Sequence, residues 1–263
     1  MTIPKDIIKF VENSSGHPLN KDEYITFGSQ DIEITGITVT WMATSKLIKS
    51  VADAGHNCIV HHEALTYPYP DFVNGNEHEY TNWPINTQRK KLLTKHGITT
   101  IRIHGSADEI YIYNAFAKQL NLITPIADDG TNIYCHKVFA SPVSTFGELI
   151  EYVKTTTGMS AMRTTRHPSN RPVKRIGLPW GGMGLFINVG YMQKLLDIGV
   201  DTFICGETDN YGFRFAEEQG IAVIETSHEI SEAVGLRNFA EKLKEFLKIN
   251  VQYSDIPCVW EMR

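Results

Sequence analysis

The sequence predicts an α/β protein with a three-layer αβα architecture, mostly parallel sheets and two related lobes. Two observations lead to this fold class. Short apolar runs alternate with amphipathic stretches of helical length over about 37–120 and again over about 200–248. Such alternation is typical of βαβ units, whose strands are parallel and whose crossover is right-handed. A cluster of proline, aspartate and glycine at 124–130 predicts a boundary between lobes at 1–125 and 126–263.

The composition is that of an ordinary globular protein of 263 residues, of which 42% are hydrophobic. The formal net charge of −5 gives no overall attraction to nucleic acid. The sequence shows no signal-peptide pattern and no apolar run near the ~18 residues of a membrane span. Two of the four cysteines, Cys58 and Cys205, lie in apolar runs and are predicted to be buried free thiols. We therefore expect a cytoplasmic protein that binds neither a membrane nor nucleic acid.

The first lobe contains a short helix followed by repeated strand and helix patterns. Thr44-Ser45 can cap its second helix, and Gly55 is the predicted stop. Residues 14–35 show no clear pattern, whereas the long loop at 63–83, rich in Tyr and Pro, is of a kind that is functional or disordered. The predicted elements are helices at 4–13, after Thr44, at about 84–96 and from about 108, and strands at 37–41, 57–60 and 98–103.

The second lobe repeats the alternation of strands and helices. The glycine-rich segment 179–184 lacks the Lys-Ser/Thr of a P-loop and the spacing of a dinucleotide fingerprint, so it predicts a tight turn between a strand and a helix. The basic stretch at 163–171 has no predicted role. The predicted elements are strands near 133–140, 173–178, 201–205 and 221–224, and helices near 145–157, 212–219 and 231–248.

A pair of adjacent histidines, His61 and His62, ends the predicted strand at 57–60. Successive side chains of a strand point to opposite faces, so the two rings should diverge by roughly 180° unless the backbone turns. Such a pair suits two neighbouring metal ions better than chelation of one. Two partly exposed imidazoles in a loop are the alternative, because a single short motif is only a hypothesis.

Polar residues also follow the ends of three other predicted strands. In open parallel sheets, ligands bind at the carboxyl ends of the strands, so these residues should meet at one edge. Imidazole and carboxylate donors together suit first-row divalent metals, and carboxylates can bridge two ions. The residues are His61, His62, His104, Glu207 and His228, with Asp108 four positions after His104 and Glu232 four positions after His228.

Each of these residues also has a structural explanation when it is considered alone. His104 could be a buried histidine bonded to the backbone, and Asp108 could be a helix N-cap. His228 and Glu232, four residues apart, could be an ordinary pair on the first turn of a helix. Glu207 could cap the helix that follows it. Their joint position at strand ends is what favours a metal site.

Four motifs resemble the NGG-interacting-factor-three-like family, often named GTP cyclohydrolase I type 2 homologues. They are I-V-H-H (59–62), H-x-x-x-D (104–108), I-C-G-E with A-E-E-Q-G (204–220) and S-H-E-I-S-E (227–232). Their order and rough spacing match over nearly the whole chain. The resemblance implies a dinuclear metal centre in an α/β subunit, and a toroidal hexamer built as a trimer of dimers. By position, it implies the metal ligands His61, His62, Asp108, His228 and Glu232, with His104 close by.

We therefore expect a metal-dependent hydrolase that holds two divalent ions per chain, from among Zn, Mn, Fe and Ni. The ions would lower the pKa of a water molecule that attacks a nucleotide or phosphoester-like substrate. His104 and Glu207 are the candidates for general base or proton shuttle. The last part of the second lobe, about 200–263, would return to the metal site. The alternative is a non-catalytic metal-binding or regulatory scaffold that acts through protein partners.

Overall fold

The computed structural model describes residues 1–69, 77–130 and 136–260. The chain divides into two compact units. The first consists of Met1–Tyr111 and Leu236–Ile256, and the second of Ile112–Gly235 and the segment that starts at Pro257. Each contains a sheet and helices, so the predicted α/β class is confirmed.

The helices and strands alternate along most of the chain, as the sequence predicts. In chain order they are α1 (Pro4–Ser15), β1 (Ile25–Phe27), β2 (Ile37–Thr40), α2 (Ser45–Asp53), β3 (Cys58–His61), α3 (Glu77–Thr81), α4 (Pro84–His96), β4 (Thr99–Arg102), α5 (Gly105–Ala107), α6 (Tyr113–Gln119), β5 (Pro125–Asp128), β6 (Lys137–Ala140), α7 (Phe146–Thr157), β7 (Arg163–Thr164), β8 (Arg175–Gly177), α8 (Val189–Asp197), β9 (Thr202–Cys205), α9 (Asn210–Glu218), β10 (Ala222–Glu225), α10 (His228–Leu247) and β11 (Val251–Ser254).

The sheet of the first unit has the strand order β1–β4–β3–β2–β11. Strands β11, β2, β3 and β4 are parallel, and β1 pairs antiparallel with β4 at the edge. Leu47 and Ile48 of α2 and Leu93 of α4 form a buried cluster with Ile59 of β3. Strands β3 and β4 pair with His61 opposite Arg102. The residues that follow these two strands therefore emerge side by side at the carboxyl edge of the sheet.

The sheet of the second unit has the order β5–β6–β8–β9–β10–β7. Its three strands β8, β9 and β10 are parallel, whereas β5, β6 and β7 pair antiparallel with their neighbours. Parallel pairing in this unit is thus limited to the centre of the sheet, although the sequence predicts mostly parallel sheets. The central strands are the ones that lead to the glycine-rich turn, Glu207 and His228.

Most of the predicted elements are confirmed, and α4 has its predicted bounds. Thr44 caps α2, because its side chain accepts a hydrogen bond from the Leu47 amide. Two capping alternatives are wrong. Asp108 is not a helix N-cap: α5 begins at Gly105, and Asp108 is its C-cap and opens a π-helical turn, a form often found at functional sites. The cap of α9 is Asp209 rather than Glu207.

Some sequence features lie outside the described residues, namely Cys135, the start of the strand predicted near 133–140, and the middle of the loop at 63–83. Within the described part of the chain, no helix is both long and apolar enough to cross a membrane. Cys58 and Cys205 are buried free thiols, as predicted. Burial raises the pKa of the Cys58 thiol to about 12, so this thiol is unreactive at neutral pH.

Candidate metal centre

The ends of β3 and β4 bring His62 and His104 next to each other in the first unit. Their ring centroids are 4.8 Å apart. Asp108 joins them, since its Oδ1 lies 3.8 Å from His62 Nε2, and one donor atom from each of the three residues lies within 4.8 Å of the other two. Tetrahedral ligands of a divalent ion lie about 3.4 Å apart at bond lengths of about 2.1 Å. Small side-chain rotations would therefore suffice to close the group around one ion.

His62 is held so that Nε2 is its metal-binding atom. The ring is buried, and Nδ1 lies 3.1 Å from the carbonyl oxygen of Ile103. A carbonyl oxygen can only accept a hydrogen bond, so Nδ1 carries the proton and the neutral ring has its lone pair on Nε2. A carbonyl or carboxylate behind the ring is the usual partner of a metal-binding histidine.

Two adjacent carboxylates, Asp22 and Glu23, hold His104. Asp22 Oδ2 accepts a hydrogen bond from His104 Nδ1 at 2.7 Å, and Glu23 Oε1 accepts one from the His104 backbone amide, also at 2.7 Å. Glu23 is buried and also binds the amide and hydroxyl of Ser106. The hydrogen bond from His104 and the charge of Arg102 lower the pKa of Asp22 below its usual value. The ring and the backbone of His104 are therefore fixed independently.

His61 has a different environment from His62. Its Nδ1 donates to the carbonyl oxygen of Glu63 at 2.7 Å, and its Nε2 lies 2.7 Å from Thr26 Oγ1. Burial lowers the pKa of His61 to about 4, so the ring is neutral and Nε2 accepts from the Thr26 hydroxyl. The two adjacent rings thus diverge, as the alternation of side chains along a strand predicts.

In the second unit, the first turn of α10 carries the predicted pair His228 and Glu232. His228 Nε2 lies 3.2 Å from Glu232 Oε1, and His228 Nδ1 lies 3.0 Å from Glu207 Oε2. Glu232 is buried, whereas the Glu207 side chain is 46% exposed. The Glu207 carboxylate thus contacts Nδ1 of His228, as the Asp22 carboxylate contacts Nδ1 of His104. Ser227, just before the helix, has a φ of 92°, and such strained residues cluster at functional sites.

The glycine-rich turn leaves room for the donor atoms of His228 and Glu232. A Cβ at Gly181 would overlap Glu232 Oε1 and lie 3.2 Å from His228 Nε2, and one at Gly182 would lie 3.2 Å from His228 Cε1. The turn is held in place because the Gly181 amide donates to Ser231 Oγ and its carbonyl accepts from the Glu207 amide. The segment is therefore the predicted tight turn, and its lack of side chains leaves space for these donor atoms.

Among the described residues of the first unit, donor atoms of His62, His104 and Asp108 come together. In the second unit, His228 lies within hydrogen-bond distance of both Glu232 and Glu207. Imidazole nitrogens with the proton fixed on Nδ1, together with carboxylates, fit a first-row divalent metal. The sequence did not identify Asp22, Glu23 and Thr26, which lie in a segment without a local pattern. Their partners are between 35 and 83 residues away in sequence, so no spacing rule could have found them.

Comparison of the sequence with known proteins points to one family. The sequence model of the Duf34/NIF3 (NGG1p interacting factor 3) family matches residues 7–257. A curated relative from Yersinia pestis, named GTP cyclohydrolase 1 type 2 homolog, is 26% identical over 236 residues. The alignment covers 88% of this chain and 87% of the relative.

Solved structures show the same fold at low sequence identity. SA1388 from Staphylococcus aureus superposes with a TM-score of 0.74 and 16% identity, covering 99% of both chains. A Bacillus cereus protein related to NIF3 gives a TM-score of 0.73 and 12% identity, covering 99% of this chain and 98% of that one.

Proposed function

The chain belongs to the Duf34/NIF3 (NGG1p interacting factor 3) family, and we propose that it is a metal-dependent hydrolase with two divalent ions per chain. The observation that carries the proposal is the first donor group, in which two imidazoles and a carboxylate converge within 4.8 Å at the ends of adjacent strands. The proposed ligands include His62, Asp108, His228 and Glu232. Ions bound there would lower the pKa of water and polarise the substrate.

In the proposed reaction, the protein's side chains orient the metal ligands and transfer a proton. Ile103 and Glu207 fix the tautomers of His62 and His228 through their Nδ1 atoms. For proton transfer, the chain offers His104, whose Nδ1 is backed by the ionised Asp22, and the half-exposed carboxylate of Glu207. Either group is of the type that accepts a proton from water near neutral pH when it is suitably placed.

We propose a nucleotide or phosphoester-like substrate, because the Yersinia pestis relative is named as a GTP cyclohydrolase homologue. The test is turnover of GTP and of bis(p-nitrophenyl) phosphate by the zinc-loaded chain. Activity should disappear on chelation and in Asp108→Asn, and should persist in Asp53→Asn, which alters an exposed carboxylate at the end of α2. A chain that binds metal and turns over neither substrate would instead support the non-catalytic scaffold.

We also propose a homohexamer that works in the cytoplasm. The family resemblance supports the hexamer, and the buried thiols of Cys58 and Cys205 are typical of a reducing compartment. Light scattering at micromolar concentration should give the mass of six chains of 29.7 kDa. The mass of a single chain would contradict the proposed assembly.

A further inference from the structure

We infer that three side chains of the second unit, Phe186, Ile187 and Tyr211, form a binding site for the planar base of a free nucleotide. We call these three side chains the apolar patch. The inference deepens the proposed function, and it rests on that function in taking the ligand from the nucleotide class. It assigns the recognition of the base to residues that bind no metal.

The first observation is that the side chains of the apolar patch face solvent. Phe186 is 55% exposed, Ile187 59% and Tyr211 67%. The rings of Phe186 and Tyr211 contact each other, with centroids 5.1 Å apart and planes tilted by 42°. Apolar side chains that are exposed next to one another mark a binding surface more often than scattered ones do, and aromatic faces are the surfaces on which a planar ring stacks.

The second observation is that one carboxylate holds the backbone of both aromatic residues. Asp209 Oδ2 accepts a hydrogen bond from the Phe186 amide at 3.2 Å, and Asp209 Oδ1 accepts one from the Gly212 amide at 2.8 Å as the N-cap of α9. Tyr211 lies in the first turn of that helix. The backbone that carries the two rings is therefore fixed before a ligand arrives, which lowers the entropic cost of binding.

The third observation is that the apolar patch lies near the candidate proton acceptor Glu207. The glycine-rich turn leads to Phe186 and lies against Glu207, whose amide donates to the Gly181 carbonyl at 2.7 Å. Glu207 precedes Asp209 by two residues, which span at most about 7 Å. Since Glu207 also contacts His228 Nδ1, a base on the apolar patch would leave the rest of its nucleotide near both groups.

The size of the apolar patch favours a small ligand over a protein partner. A stable protein interface involves about 20–30 residues on each side. The apolar patch has three side chains on two neighbouring segments, whereas a single base needs only an aromatic face on which to stack. The phosphate of a free nucleotide would remain available to the metal ions of the proposed function, because divalent ions bind phosphate oxygens.

The test compares the binding of GMP with that of ribose 5-phosphate, which lacks the base, by calorimetry on the zinc-loaded full chain. Wild type should bind GMP more tightly. Phe186→Leu and Tyr211→Leu should each weaken GMP binding about 5- to 150-fold, the usual contribution of one base stacked on an aromatic ring, and leave ribose 5-phosphate binding unchanged. Tyr211→Phe keeps the ring and should retain GMP affinity within about threefold. The control is Phe246→Leu, which removes a 49% exposed ring from α10 and should change neither affinity.

Equal affinity of wild type for GMP and ribose 5-phosphate would overturn the inference, and so would unchanged GMP binding in both leucine variants. If those variants lower the mass in light scattering while GMP binding stays unchanged, the apolar patch is a contact between copies of the chain, which also overturns the inference. Failure of the proposed function is a separate outcome, because wild type would then hydrolyse neither test substrate while its preference for GMP over ribose 5-phosphate remained.

Discussion

Gly181 lies so close to Glu232 that a single added methyl group would overlap the carboxylate oxygen Oε1. The same methyl group would lie 3.2 Å from His228 Nε2. These are the two atoms of the second unit that we propose as metal ligands. The backbone of the glycine-rich turn therefore sets how much space remains around them.

We predict that Gly181→Ala weakens zinc binding by at least tenfold, because the methyl group displaces the Glu232 carboxylate. Gly181 has a φ of 49°, so alanine also adds backbone strain of roughly 1–2 kcal/mol. Gly97→Ala is the matched control, since Gly97 has a φ of 62° with nothing within 4 Å of the added Cβ. The control should lose a similar amount of stability and keep wild-type zinc affinity. Equal zinc affinity in both variants would show that the turn does not limit the site.

The number of bound ions is the second prediction. The imidazole and carboxylate donors of the proposed site exceed what one tetrahedral ion with an open position requires. We therefore expect elemental analysis of the zinc-saturated chain to give about two ions per chain, and Glu232→Gln to lose at least one of them. Saturation at one ion that Glu232→Gln leaves unaffected would exclude a dinuclear centre.

The sequence predicted the parts of the site that follow from local pattern. Alternating strands and helices place His62 and His104 at strand ends, and the parallel pairing of β3 and β4 then brings them together. The edge strands β1 and β11 were not predicted, because they are not the fully buried apolar runs that mark β3 and β4, and their partners are distant, as with Ile25 opposite Ile101.

The residues that hydrogen-bond to the histidine rings could not be predicted for a related reason. Asp22 and His104 are separated by 82 positions, and only the folded sheet brings their segments together. Likewise, the sequence showed that the rings of His61 and His62 should diverge, but it could not show which ring turns toward Thr26. Which ring does so depends on the Thr26 hydroxyl, which lies on the edge strand β1, a segment with no recognisable sequence pattern.

The pH dependence of stability should include a contribution from His56. This buried ring accepts a hydrogen bond from the Asn250 amide at Nε2 and contacts Thr38 Oγ1 through Nδ1. Burial lowers its pKa in the folded chain, while the unfolded chain keeps a value of about 6.5. The stabilisation is thus complete above about pH 6.5 and is lost as the pH falls through that value toward the folded pKa.

The measurement is urea unfolding of the metal-free chain at several pH values. Between pH 8.5 and 7.5, wild type and His56→Gln should differ in unfolding free energy by a constant amount. Between pH 7 and 5, this difference should shrink, because only wild type must keep a buried imidazole neutral. A difference that stays constant over the whole range would show that the folded state does not depress this pKa.

The last prediction separates two roles of Glu207, which holds His228 Nδ1 at 3.0 Å and is also a candidate proton acceptor. Glutamine keeps an oxygen that can accept the hydrogen bond from His228, but it cannot take up a proton. We therefore expect Glu207→Gln to keep zinc affinity within about fivefold of wild type and to lose turnover of bis(p-nitrophenyl) phosphate by about 10²–10⁴-fold, the usual contribution of a general base. Glu207→Ala should lose turnover and should also bind zinc about 10- to 100-fold more weakly. Glu218→Gln, an exposed carboxylate on α9, should change neither. If Glu207→Gln retains turnover, Glu207 only orients His228.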